Sequence, residues 1–85
     1  MNAPLTHLIR EARHLAAAER LATDRGHSAV AGQLGECRRL VLARILRTFP
    51  EQARLKAGQV SVVGEGEVGL LSTVEATQLG VLSHG

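Results

Sequence analysis

Aromatic residues and cysteine are almost absent from this sequence. Its 85 residues include one Phe, one Cys and no Trp or Tyr. The single cysteine, Cys37, excludes a disulfide within the chain and a structural zinc site that needs several cysteines of one chain. A core must be built from aliphatic side chains, and the length suits one small domain. We expect no bound zinc.

Long apolar runs and leader-like segments are also missing. No stretch approaches the roughly 18 apolar residues in a row that mark a membrane-spanning helix. The first residues do not lead from a basic region into an apolar one, as a secretory signal does. We expect a soluble, cytoplasmic protein with no membrane partner.

Charge is distributed unevenly along the chain. Residues 1–56 hold all ten cations and five of the eight acids, a net charge of +5. Residues 57–85 hold three acids and no cation, a net charge of −3. This change predicts two segments, a helical one over residues 1–57 and a second one over residues 58–85.

The N-terminal segment carries apolar residues at helical spacing. Between Ala3 and about Asp24 they recur every three or four positions, which places them on one face of a helix. They are Leu5, Leu8, Ala12, Leu15 and Ala22. Asn2 is a suitable N-cap and Gly26 a suitable stop. We predict a first helix over this stretch.

A second helix is predicted over residues 28–48, with Ser28 as its N-cap. Its apolar stripe contains Val30, Leu34, Cys37, Val41 and Ile45. Phe49 precedes Pro50 and is therefore pushed out of the α region, which ends the helix. Pro50 then suits the first turn of a short third helix over residues 51–57, closed by the following glycine.

Two such helices joined at Gly26 would form an antiparallel hairpin with a wide apolar side. Self-association into a four-helix bundle, or docking on a protein partner, would bury that side; alternatively, the C-terminal β-α segment covers part of it, which favours a monomer. Its residues are Leu34, Val41, Leu42, Ile45 and Leu46. The hairpin would also set Cys37 opposite Leu15 and near His14. Such a pair is either a packed thiol beside a surface imidazole, a nucleophile with its base, or part of a metal site that a second chain completes.

Arginine supplies nine of the ten cations. A guanidinium pairs well with phosphate, so a nucleic-acid partner is one alternative. The arginines concerned are Arg10, Arg13, Arg20, Arg38, Arg39, Arg44, Arg47 and Arg54. Acids interrupt this field at Glu11, Glu19 and Glu36. A solvated helical face is the other interpretation.

A β-branched run leads directly into three glycines in the second segment. Residues 59–63 favour a strand, and Gly64, Gly66 and Gly69 follow with the spacing G-x-G-x-x-G. Helical spacing then extends from Val68 to Leu79, with Gly80 as its stop. In this order the first glycine permits a tight turn, the second a close approach of backbone to a pyrophosphate, and the third close helix packing. The helix N-terminus would face the phosphates.

Residues 56–81 resemble the first β-α unit of the cofactor domain in medium-chain, zinc-type alcohol dehydrogenases. Flavin-dependent oxidoreductases have a similar opening. The resemblance implies a Rossmann-like unit, NAD or NADP as cofactor, and binding by Gly64, Gly66, Gly69 and Val68. The chain departs from the family at Glu65 and Glu67; an acid at the first variable position has precedent in related sequences, but a second carboxylate would oppose bound phosphates. It also lacks the ribose-binding acid expected about twenty residues after the motif begins.

These observations predict an α/β fragment, a helical hairpin followed by one Rossmann-like β-α unit; the alternative is a mainly α small domain. The expected function is that of a truncated or remnant NAD(P)-type dinucleotide-binding fragment related to a dehydrogenase. We expect no catalytic activity from it alone and assign no catalytic or metal-binding residue. The alternatives are a small helical protein-interaction module, including a self-associating one, and an Arg-rich nucleic-acid-binding regulator.

Overall fold

The computed structural model describes residues 3–82. Two long helices, α1 (Ala3–Asp24) and α2 (Ser28–Thr48), are followed by three short strands and a short helix. The strands are β1 (Ala53–Lys56), β2 (Gln59–Val62) and β3 (Gly66–Leu70), and the last helix is α3 (Thr73–Gln78). The strands form one antiparallel sheet in the order β1-β2-β3. The molecule is thus a small α/β domain.

The structure confirms the helical hairpin. Gly26 has a φ of 75°, a left-handed conformation that glycine adopts without a steric cost, and it separates the two helices. The N-cap of α2 is His27, not Ser28, and it makes no side-chain capping hydrogen bond. Phe49 caps the other end, where its N–H donates to the Ile45 carbonyl. The predicted cap Asn2 lies outside the described residues.

The third helix predicted over residues 51–57 is wrong, because strand β1 occupies most of it. Along β1 the side chains alternate, with Ala53 buried and its neighbour Arg54 exposed. This alternation has the two-residue period of a strand. The segment forms a strand instead of a helix because it pairs with β2. A tight turn at residues 57–58 joins the two strands.

Residues 66–70, which include the last two glycines of the motif, also differ from the prediction. They form β3, which pairs antiparallel with β2, and helix begins again only at Thr73. Residue Val68 is an extra residue in β3, opposite the step from Val60 to Ser61, where the register shifts. A Rossmann-like unit has parallel strands joined through a helix, so the structure does not confirm one here.

The sheet packs on one side of the hairpin and forms a common core with it. The largest fully buried side chains are Leu42, Ile45, Leu71 and Val60. Leu5, Ile9 and Ala12 join them from α1, and Val62 and Val68 from the sheet. Residues on both sides of the predicted 57/58 boundary therefore contribute to one core. No helix within residues 3–82 has the length and apolar character to cross a membrane.

Candidate functional site

Two of the predicted cofactor-binding glycines lie where the chain reverses between β2 and β3, Gly64 in the turn and Gly66 as the first residue of β3. Gly64 has a φ of 84° and Gly66 a φ of 78°. The residue between them, Glu65, donates its N–H to the Val62 carbonyl at 3.0 Å. The glycines therefore provide the left-handed conformations that reverse the chain between two antiparallel strands.

The other two predicted residues lie within β3. Val68 is 4% exposed and belongs to the hydrophobic core. Gly69 packs directly on Leu42 of α2, since a Cβ at this position would lie 3.1 Å from the Leu42 Cδ1 atom. Gly69 thus allows the sheet to approach the helix, and the side chain of Val68 is buried in the core.

The first helix after the glycine motif is α3, and its N-terminus already has partners. Ser72 and Glu75 form a capping box, in which the Ser72 hydroxyl accepts from the Glu75 N–H and the Glu75 carboxylate accepts from the Ser72 N–H. The Ser72 backbone N–H lowers the pKa of Glu75, and so do the Ser72 hydroxyl and the nearby Arg39. Arg39 lies 3.2 Å from the same carboxylate. Because these groups cap it, the N-terminus of α3 is not a free anion-binding site.

A groove of about 440 Å³ lies beside the glycine turn. Its lining is largely apolar, and its one ionisable side chain is the carboxylate of Glu65. Arg13 lies 3.5 Å from that carboxylate and also donates to the Glu65 carbonyl at 3.0 Å. Because the nearby cation is already paired, the groove offers phosphates little attraction. Binding of NAD or NADP by Gly64, Gly66, Gly69 and Val68 stays a prediction.

The arginines are divided between internal ion pairs and solvent. Arg38 and Arg39 of α2 and Arg13 of α1 pair with carboxylates. Among the described residues, the exposed arginines outside these ion pairs are Arg10, Arg20, Arg25, Arg44, Arg47 and Arg54. They come from α1, the turn after it, α2 and β1, and no single helix or strand collects them. A nucleic-acid partner likewise stays a prediction.

One side of the hairpin faces away from the sheet and carries exposed and half-buried side chains. We call it the outer face and define it by Glu11, His14, Leu15, Ala18, Val30, Leu34, Cys37, Val41 and Arg44. At 3.6 residues per turn these positions lie opposite or beside the core-facing stripes of α1 and α2. Five of them are exposed and four are half-buried.

The outer face differs from the apolar side that the sequence predicts for docking. Leu42 and Ile45 are fully buried, because the sheet covers them. Leu34 and Val41 are half-buried, and Val30 is 49% exposed. The helical periodicity of the sequence identifies the apolar stripe of α2, but it does not show which part of that stripe the sheet will cover. For the same reason, sequence reasoning missed Glu11 and Arg44 as members of an exposed face.

Cys37 and His14 both belong to the outer face and both are exposed. The part of the chain that the structure describes contains no group of three or more His, Cys, Asp or Glu side chains that could hold a metal ion. No hydrogen bond between the thiol and the imidazole occurs within residues 3–82. The three interpretations of this pair stay predictions.

Comparisons with protein-family models, curated proteins and solved structures gave no match to this chain. Its function must therefore be inferred from its own geometry.

Proposed function

We propose that this chain is a small protein-interaction module that self-associates through the outer face of its helical hairpin. The observation that carries the proposal is the one-sided covering of the hairpin. The molecule measures 38 × 33 × 18 Å, and the thin dimension corresponds to one layer of helices and one of strands. A second copy against the outer face would turn each hairpin into half of a four-helix bundle.

The composition of the outer face supports this role. Its centre contains the half-buried side chains Leu15, Ala18, Leu34 and Val41, which gain further burial when a second helical layer covers them. Glu11 and Arg44 are charged groups at its end far from Gly26. An apolar centre with charges at its margin is the usual arrangement of a specific protein interface.

Sedimentation equilibrium tests the proposal directly. We expect a reversible change from the mass of one chain, 9.0 kDa, to twice that mass as the chain concentration rises. The series should reach about 1 mM, where an association free energy of only about −4 kcal/mol is already detectable. A chain that sediments as a folded monomer over the whole series would refute self-association. The proposal would then fail even if a different protein binds the outer face.

A matched pair of substitutions locates the interface. Val30→Asp places a carboxylate on the outer face, whereas Val74→Asp makes the same change on α3, where Val74 is 66% exposed. We expect the first to weaken association at least tenfold and the second to leave it unchanged. Thermal unfolding by circular dichroism verifies that both variants fold. Equal effects of the two substitutions would mean that the outer face is not the interface.

A further inference from the structure

The two helices of the outer face present matched positions at equal distances from the turn. Glu11 and Val41 each lie 15 residues from Gly26, which corresponds to about 22 Å along a helix. By the same measure Leu15 is level with Cys37, and Ala18 is level with Leu34. Each level of the face thus has one residue from α1 and one from α2.

The side chains on these levels differ in size between the helices. At the level where α2 has the large Leu34, α1 has the small Ala18. If α1 of one copy lies on α2 of another at the same level, a large side chain meets a small one. Contact between like helices would instead require antiparallel copies of the same helix, in which residues at equal distances from Gly26 do not face each other. Contact between α1 and α2 therefore allows large and small side chains of one level to interdigitate.

The charges on the face select the same arrangement. Glu11 lies on α1, and Arg44 lies on α2 about one helical turn farther from Gly26 than the level of Glu11. Glu11 has His7 of its own helix at 3.9 Å, and no ion pair of Arg44 occurs within residues 3–82. Contact between α1 of one copy and α2 of the other would bring Glu11 close to Arg44 twice, once on each side of the bundle.

On the basis of the proposed function, we infer that the dimer is a four-helix bundle whose two-fold axis runs parallel to the helices. In this bundle α1 of each copy packs antiparallel on α2 of the other, and the turns at Gly26 of both copies lie at the same end. Glu11 of each copy pairs with Arg44 of the other. Cys37 lies on Leu15 of the other copy, and the two Cys37 residues are diagonal to each other.

Charge reversal tests the pairing. We expect Glu11→Arg and Arg44→Glu each to raise the dissociation constant of the dimer about tenfold, because each replaces two attractive contacts by two repulsive ones. The double variant Glu11→Arg/Arg44→Glu should return to within about threefold of the native value. Arg54→Glu, on strand β1, is the matched control and should have no effect. Failure of the double variant to recover would overturn the pairing.

Disulfide trapping of mixed chains tests the axis independently. A chain with Leu15→Cys and Cys37→Ser is mixed with the native chain, so that each chain has one thiol, and the mixture is oxidised. We expect covalent heterodimers on a non-reducing gel and no covalent dimer from either chain alone, because a disulfide requires Cα atoms closer than about 7 Å. Circular dichroism establishes that the substituted chain folds.

The outcomes separate the two proposals. If sedimentation finds no dimer of the native chain, self-association fails and the arrangement fails with it. If a dimer forms but native Cys37 is trapped with itself and the mixed chains are not, the two-fold axis is perpendicular to the helices. In that case the inferred arrangement is wrong while self-association stands.

Discussion

Ala57 has a positive φ, 53°, a conformation that side chains with a Cβ adopt at a steric cost. The next residue, Gly58, has a φ of 76°, so both central residues of the β1–β2 turn are left-handed. Two-residue hairpins of this kind favour Asn-Gly, because Asn tolerates the left-handed region better than Ala does. The strain at Ala57 is the cost of holding β1 and β2 in register.

Replacement of Ala57 by Asn should relieve this strain. We expect Ala57→Asn to raise the free energy of unfolding by about 0.5–1 kcal/mol, and Ala57→Val to lower it, because a β-branched residue resists a positive φ. Urea denaturation followed by circular dichroism measures both. A loss of stability with Asn would contradict a left-handed conformation at residue 57, which Asn tolerates better than Ala.

The glycine motif shows what residue types alone leave undecided. The spacing of Gly64, Gly66 and Gly69 satisfies a dinucleotide-binding turn, and it equally satisfies a β-hairpin turn followed by a strand that lies against Leu42. In both cases glycine provides a positive φ and a close approach of backbone to a neighbour. Which neighbour it is depends on residues distant in sequence, so spacing could not decide it.

At the scale of elements, a partly buried ion pair fixes α1 against α2. Glu19 of α1 accepts from the Arg38 Nε at 2.8 Å, and Arg38 also donates to the carbonyl of Leu70 in β3. Gly35 of α2 leaves the space that the Glu19 carboxylate occupies, since a Cβ there would collide with it. One ion pair thus joins both helices and the sheet, and a glycine inside a helix makes it possible.

The substitution Gly35→Ala separates helix propensity from this contact. Alanine favours a helix by about 1 kcal/mol over glycine, but here it would displace the Glu19 carboxylate from Arg38. We therefore expect Gly35→Ala to destabilise the native chain and to stabilise a chain that already carries Glu19→Ala. A double-mutant cycle from urea denaturation measures the difference. Additive effects in the two backgrounds would show that Gly35 and Glu19 are not coupled.

The capping box of Ser72 and Glu75 makes the free energy of unfolding depend on pH. The Ser72 N–H holds the pKa of Glu75 below its ordinary value of 4.5, so the ionised form is favoured in the folded chain. This contribution is complete above the ordinary value and is lost as the pH falls through the lower, folded value. We expect Glu75→Gln to abolish that part of the pH dependence. Urea denaturation on both sides of pH 4.5 measures it, with Glu51→Gln as a control expected to leave it intact.

At the scale of the whole molecule, local signals predicted the hairpin and strand β2 but could not predict β1, β3 or their pairing. The ends of α1 and α2 depend on Gly26, Phe49 and Pro50, whose effects act within a few residues. Strand β1 depends on pairing with β2, and β3 on its packing against α2. The same dependence explains the outer face, because the covered arc of a helix is decided by elements that come later in the chain.

A fragment of residues 1–57 should not fold as the hairpin does in the whole chain. It lacks β2 and β3, so the fully buried Leu42 and Ile45 would be exposed together with Ile9. Each such side chain contributes about 1.5–3 kcal/mol when buried. Because small domains are stable by only about 5–15 kcal/mol in total, the loss removes most of the margin.

We therefore expect the fragment of residues 1–57 to melt without a cooperative transition in calorimetry. A fragment of residues 1–82, which keeps every described element, should melt as the whole chain does. If the shorter fragment unfolds cooperatively at the same temperature, the hairpin is stable without the sheet. The common core would then not be what holds α1 and α2 together, and the charge boundary near residue 57 would mark two independent units.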